Sequence, residues 1–243
     1  MTNIKYLLTA VSLSVWLCGC SQSINTSPDQ FPIKIFASAE KKIKDGRWKE
    51  AITQLESIYA RYPFSPYSQQ IQVDLVYAYY KNSNLSLALE AIDRFMRLYP
   101  NYANMDYIIY IRGLTYMAQD HNPIHTLFHI NRSDRDPFYR LSAFDSFSQL
   151  IRNYPNSRYA KSSRDHLIYL KERQAQYDLS VAEFYAQRQA YVAVVNRVAK
   201  MLTDYPDTKA TKKALPLMEN AYRQLHLDME AKQVTSIIAA NTE

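Results

Sequence analysis

The chain has 243 residues, and 29 lysines and arginines against 23 aspartates and glutamates give it a formal charge of +6. Spread over that length, the charge is too dilute for a nucleic-acid groove, which needs a clustered basic stripe. Three glycines cannot supply the tight turns of a β-sandwich or barrel of this size, so the composition predicts an all-α fold.

The first segment reads as an export signal. Lys5 precedes a short apolar stretch, Tyr6 to Leu17, followed by Leu17-Cys18-Gly19-Cys20. That stretch is too short to span a bilayer, which takes about 20 apolar residues. The division expected is a signal peptide over 1–19, a tether over 20–30 and a folded body over 31–243. Both cysteines of the chain fall at this site, and an ordinary cleaved signal with two incidental cysteines is the competing reading. From Ser21 to Gln30 the residues are polar and include Pro28, with no apolar period. Ten such residues reach at most about 35 Å when extended, which would keep the body near a membrane surface.

The body carries a repeated ending. Tyr62-Pro63, Tyr99-Pro100, Tyr154-Pro155 and Tyr205-Pro206 each close an apolar run. Before them stand Ala51, Leu55 and Ile58; Ala88, Ile92 and Phe95; Ala143, Phe147 and Leu150; and Val194, Val198 and Met201. A small residue followed by larger apolar ones at +4 and +7 marks one face of a helix, which the proline ends. This is the second half of a helix-turn-helix unit of about 34 residues, the tetratricopeptide pattern, whose units bury their apolar faces only by stacking. The prediction is a superhelical solenoid of five helix pairs.

In chain order, the first repeat (32–63) pairs Phe36, Ala39 and Ile43 with Trp48, Ile52, Leu55 and Tyr59 across Asp45-Gly46. The second (68–100) pairs Leu75, Val76, Tyr79 and Tyr80 with Leu85, Ala88, Ile92 and Phe95 across Asn82-Ser83-Asn84. The third (104–155) has Tyr107, Ile111, Leu114 and Ala118 on its first helix and Leu141, Phe144, Phe147 and Leu150 on its second, with a polar, proline-punctuated insertion at 119–137. The fourth (157–206) begins with a stretch, Tyr159 to Arg188, that has neither glycine nor proline. It predicts one extended helix of about eight turns. The fifth (209–240) lacks a closing proline and is read as a terminal cap.

Side chains with chemistry are few. His121, His125 and His129 have i, i+4, i+8 spacing, but Pro123 breaks a regular helix between them, so no metal site is expected. Arg132 and Arg135 can pair with Asp134, while Asp136 caps a helix beginning at Pro137. Tyrosines crowd the first helices: Tyr77, Tyr79, Tyr80, Tyr107, Tyr110, Tyr116 and Tyr185. Either they pack the repeats together, or some of them line a groove where tyrosine gives contact area at low entropic cost. The sequence has no Gly-rich phosphate loop, no His-Glu-x-x-His, no Gly-x-Ser-x-Gly and no thiol beyond the signal site. No enzyme activity and no cofactor are expected.

The Leu-x-Gly-Cys end resembles the bacterial lipobox. Asn131 to Pro137, Asn153-Tyr154-Pro155-Asn156-Ser157, Ser180-Val181-Ala182-Glu183, Asp204 to Thr208 and Ala214 to Arg223 resemble the tetratricopeptide-repeat lipoproteins of the Gram-negative β-barrel assembly machinery. The resemblance implies Cys20 carrying S-diacylglycerol and an N-palmitoyl chain in the inner leaflet of the outer membrane. It implies a non-enzymatic subunit whose C-terminal repeats bind a BamA-like barrel subunit. Unfolded outer-membrane proteins would use the N-terminal repeats, through an aromatic residue and a carboxylate at their ends, and BamC-like and BamE-like lipoproteins would be further partners. For the dock it points to Arg197, off the Val194, Val198, Met201 line and suited to bidentate carboxylate binding, and to Arg188. The groove candidates are Tyr77, Tyr80, Tyr107 and Tyr110. Arg197 also reads as an ordinary solvated arginine. The alternative function is a lipoprotein of DNA uptake or peptidoglycan binding.

Overall fold

The computed structural model describes residues 32–120 and 138–240. Among these it contains ten helices and no strand, in five antiparallel pairs: α1 (Pro32–Lys44) with α2 (Trp48–Arg61), α3 (Ser68–Lys81) with α4 (Leu85–Leu98), α5 (Met105–Asp120) with α6 (Phe138–Asn153), α7 (Ala160–Gln187) with α8 (Tyr191–Asp204), and α9 (Lys209–Gln224) with α10 (Asp228–Ala240). Each helix packs on the next, and first helices also meet across repeats, α1 on α3, α3 on α5 and α7 on α9. The result is the layered all-α solenoid that the repeat pattern predicts. Among the described residues no helix is long and apolar enough to cross a membrane.

The small-large-large lines are the core. All twelve side chains, from Ala51, Leu55 and Ile58 to Val194, Val198 and Met201, are at most 2% exposed. Each second helix stops where the proline ring would clash with the preceding turn, forcing the residue before it out of the helical region. Tyr62, Tyr99 and Tyr205 accordingly have φ between −139° and −130° while each still donates its N–H to the helix carbonyl four residues back.

Turns within repeats share one backbone form. Gly46 has φ +73°, and Ser83, Gln189 and His226 have φ +59° at the equivalent positions. In each turn that residue and the next donate their N–H groups to carbonyls at the end of the first helix, as Gln189 does to Ala186 and Ala190 to Tyr185. Only one of the four is the glycine that this conformation favours.

Three apolar clusters run along the stack. The first runs from α1 through Leu150 of α6 to Ala160 at the start of α7, and the last fills α7 to α10. Between them a smaller one joins Phe147, Ala143 and Leu170 to Tyr110, Leu114 and Met117. The long helix α7 belongs to all three, with Ala160 in the first, Leu170 in the middle and Ala175, Leu179 and Ala182 in the last. On α6 the structure differs from the sequence reading: Phe147 and Leu150 are buried, but Leu141 and Phe144 are 49% and 36% exposed. They lie off the face of α6 that buries Arg140, Ala143, Ser146, Phe147 and Leu150.

Candidate functional site

The tyrosines on α3 and α5 divide into struts and a face. Tyr79 is a strut: it is buried, and its hydroxyl donates to Glu56 of α2 at 2.6 Å. Burial raises its pKa, and the bond to Glu56 adds to the rise. Tyr77 and Tyr107 line an open cavity of about 810 Å³ with Tyr102 and Tyr159. Tyr80 lines a second cavity, of about 260 Å³, with Leu114, Met117, Tyr169 and Arg173. Tyr110 lies between them, stacked on Tyr159 at 4.7 Å with its hydroxyl 2.9 Å from Ser162 Oγ. Burial raises the pKa of both Tyr80 and Tyr107, so these hydroxyls remain protonated donors. The four tyrosines singled out from sequence are thus spread along one aromatic stretch of the first-helix layer. It ends against the start of α7.

The larger cavity contains groups that sequence reasoning missed. Asp106 Oδ2 accepts from Ser157 Oγ at 2.5 Å, which ties α5 to the turn before α7. Arg158 lies over the Tyr159 ring at 4.8 Å and its Nη2 bonds the Tyr159 hydroxyl at 2.5 Å. Asp74, from α3, accepts through Oδ1 from Gln70 at 2.9 Å, while Oδ2 is shielded from solvent without a hydrogen-bond partner among the described residues. Burial, more than the nearby charge of Glu40, raises its pKa to about 6. The signal for Asp74 was in the sequence, since it is the lone charge in Ser68 to Tyr80.

At the other end of α7, Arg197 of α8 is off the core line and 30% exposed. Its Nη1 lies 2.9 Å from Oδ1 of Asp178 on α7, a carboxylate only 3% exposed. Arg188, at the C-terminus of α7, lies 3.6 Å above the ring of Phe184. Phe184, and Val192 on α8, are exposed. The two arginines therefore belong to the same α7–α8 unit, one engaged by a buried carboxylate and the other by an aromatic face. Asp178 too was legible, because it interrupts the small-apolar line Ala175, Leu179, Ala182.

One helix connects these places. Tyr159, Ser162 and His166 at the start of α7 touch the groove tyrosines, and His166 also stacks on Phe147 at 4.9 Å. Burial lowers the pKa of His166. From Tyr159 to Asp178 the helix rises about 28 Å at 1.5 Å per residue. Cys20, His121, His125, His129 and Arg132 to Pro137 lie outside the described residues. Among those described, no group of three histidines, cysteines or carboxylates is arranged to hold a metal ion.

This arrangement defines a helical-repeat protein, with an aromatic face against the start of α7 and two arginines, each engaged by its own partner, toward the other end of that helix. The family described as YfiO: Outer membrane lipoprotein matches residues 28–237. The chain belongs to this family of outer membrane lipoproteins, which gives it its outer-membrane association. Its relatives include the outer membrane protein assembly factor BamD of Vibrio cholerae serotype O1, 44% identical over 96% of each chain. Those of Pasteurella multocida and Haemophilus influenzae carry the same name: the first is 38% identical over 96% of this chain and 88% of its own, the second 35% over 100% and 92%. Among solved structures, the MamA protein covers 84% of this chain and 88% of its own at 15% identity, with a TM-score of 0.38.

Proposed function

We propose that this chain is a non-enzymatic scaffold subunit of the machinery that assembles outer-membrane proteins. Its N-terminal repeats bind unfolded β-barrel substrates along the tyrosine face of α3 and α5. Its C-terminal repeats dock, through Arg197 and Arg188, on a BamA-like barrel subunit, and BamC-like and BamE-like lipoproteins join the same assembly. Cys20 carries the S-diacylglycerol and N-palmitoyl groups, and 20–30 is the tether. The observation that carries this reading is an open aromatic cavity against the start of α7, with Arg188 at the C-terminus of the same helix and Arg197 held to it by Asp178. The names of the relatives support the assembly role.

Photocrosslinking side chains introduced in cells at Tyr77, Tyr107 and Arg197 test it. The first two are expected to trap unfolded barrel precursors, and the third the barrel subunit. Crosslinks to neither class, or the barrel subunit at Tyr77 and Tyr107, overturn the assignment. For the anchor, Cys20→Ser is expected to release the protein from the membrane fraction, and a membrane-bound variant argues against lipidation there.

A further inference from the structure

The cavity walled by Tyr77, Tyr102 and Tyr107 has a charge balance opposite to that of the chain. The chain is net positive, but among the described residues Asp74 and Asp106 line this space against one cation, Arg158. That cation is engaged, since its guanidinium lies on the Tyr159 ring and bonds the Tyr159 hydroxyl. Asp106 is engaged too, by Ser157 and by the backbone N–H of Tyr107. Asp74 is the exception: one oxygen holds Gln70 and the other, out of contact with solvent, holds nothing among the described residues. A desolvated carboxylate without a counter-charge is costly to keep. Its raised pKa expresses the same deficit.

We propose that this cavity seats a cationic side chain, lysine or arginine, of an extended polypeptide lying along the first-helix layer. The ammonium or guanidinium group enters between the tyrosine rings, whose faces attract cations, and its charge acts on the Asp74 carboxylate from the cavity side, through space and not by a bond to the shielded Oδ2. The space fits: about 810 Å³ falls in the roughly 300–1,000 Å³ range of clefts that enclose a ligand. It holds a long side chain and the backbone on either side of it. A carboxylate in the same place would face Asp74 and Asp106, so the acidic end of a bound chain lies elsewhere on the face. The inference rests on the reading that a polypeptide binds here, and it adds which side chain the cavity selects.

The test uses the full chain purified in detergent and a blocked, fluorescent heptapeptide with tyrosine at alternate positions and one variable central residue, read by fluorescence anisotropy. With lysine at the centre, binding is expected to be about tenfold tighter than with norleucine, the size of effect given by one nearby opposite charge with aromatic support. Asp74→Asn is expected to bring the lysine and norleucine peptides to equal affinity. Equal affinity of the lysine and norleucine peptides for the unaltered protein overturns the cation seat but leaves peptide binding by the face intact. A glutamate peptide binding more tightly than the lysine peptide overturns it also. If no peptide binds, the seat and the underlying reading of the face fall together.

Discussion

Arg197 and Asp178 form an ion pair between α8 and α7, with Nη1 2.9 Å from Oδ1. The carboxylate is almost completely buried while the guanidinium keeps a solvent edge, so the arginine has two tasks that a single substitution mixes. Arg197→Ala leaves Asp178 desolvated and unpaired, and is expected to cost about 1–3 kcal/mol in urea unfolding. Adding Asp178→Asn removes the stranded charge and is expected to recover most of that loss. The dock is then tested in the double variant: a folded protein that no longer co-purifies with the barrel subunit assigns Arg197 to the interface. Normal co-purification restricts it to holding α7 on α8.

Gly113 faces Phe147 across the α5–α6 contact. A Cβ at Gly113 would lie 2.6 Å from Phe147 Cε1 and 2.7 Å from Cζ, nearer than packed carbons approach. The ring has no room to retreat, because it is fully buried and stacked on His166. In an open helix, glycine to alanine gains roughly 0.5–1 kcal/mol. Here Gly113→Ala is expected to destabilise by about 1–3 kcal/mol through overpacking, visible as a lower thermal midpoint. A rise in the midpoint would show that the α5–α6 contact is looser than its geometry.

The intra-repeat turns give a prediction of opposite sign. His226 has a left-handed φ of +59°, which costs a residue with a Cβ about 1–2 kcal/mol. His226→Gly removes that cost and adds back part of it by loosening the unfolded chain. The net expectation is a gain of about 0.5 kcal/mol by chemical denaturation. Gly46→Ala, at the equivalent turn with φ +73°, should lose about 1 kcal/mol. If His226→Gly destabilises, the imidazole makes a contact worth more than the backbone strain.

The core was legible where a residue's fate depends on local period. Ala88, Ile92 and Phe95 are all buried because positions +4 and +7 on a helix share a face whatever it packs against. The turn at Asn82-Ser83-Asn84 was readable from polar residues alone, although Ser83 carries a conformation that favours glycine. Leu141 and Phe144 were misjudged because a strict i+3 spacing drifts around the helix, and counted back from Phe147 it leaves the face that buries Arg140, Ala143, Phe147 and Leu150. The site was less legible for a related reason. Tyr77 and Tyr107 have the same residue type and helix role as Tyr79, yet Tyr79 is a buried strut and the other two line a cavity. That distinction depends on which helix lies opposite. The partners of the charged groups, Asp178 for Arg197 and Ser157 for Asp106, come from other helices and turns that spacing does not link.

Asp74 makes the last prediction, and its sign follows from linkage. Its carboxyl has a folded pKa of about 6 against an ordinary 3.8, so the folded state binds the proton more tightly than the unfolded chain does. Its contribution to stability is therefore most favourable below about pH 4, declines as the pH rises, and is lost above about pH 6. At neutral pH the ionised, desolvated group works against folding by about 2–3 kcal/mol, at roughly 1.4 kcal/mol per pKa unit. Asp74→Asn keeps the bond from Gln70 and removes the charge. It is expected to raise the thermal midpoint by several degrees at pH 7.5, with the gain shrinking toward zero at pH 4. A gain of equal size at both values would show that the substitution acts through packing and not through charge. A group retained at such a cost to stability is the kind found where a protein binds or reacts, and the same substitution is expected to abolish the preference for a lysine peptide.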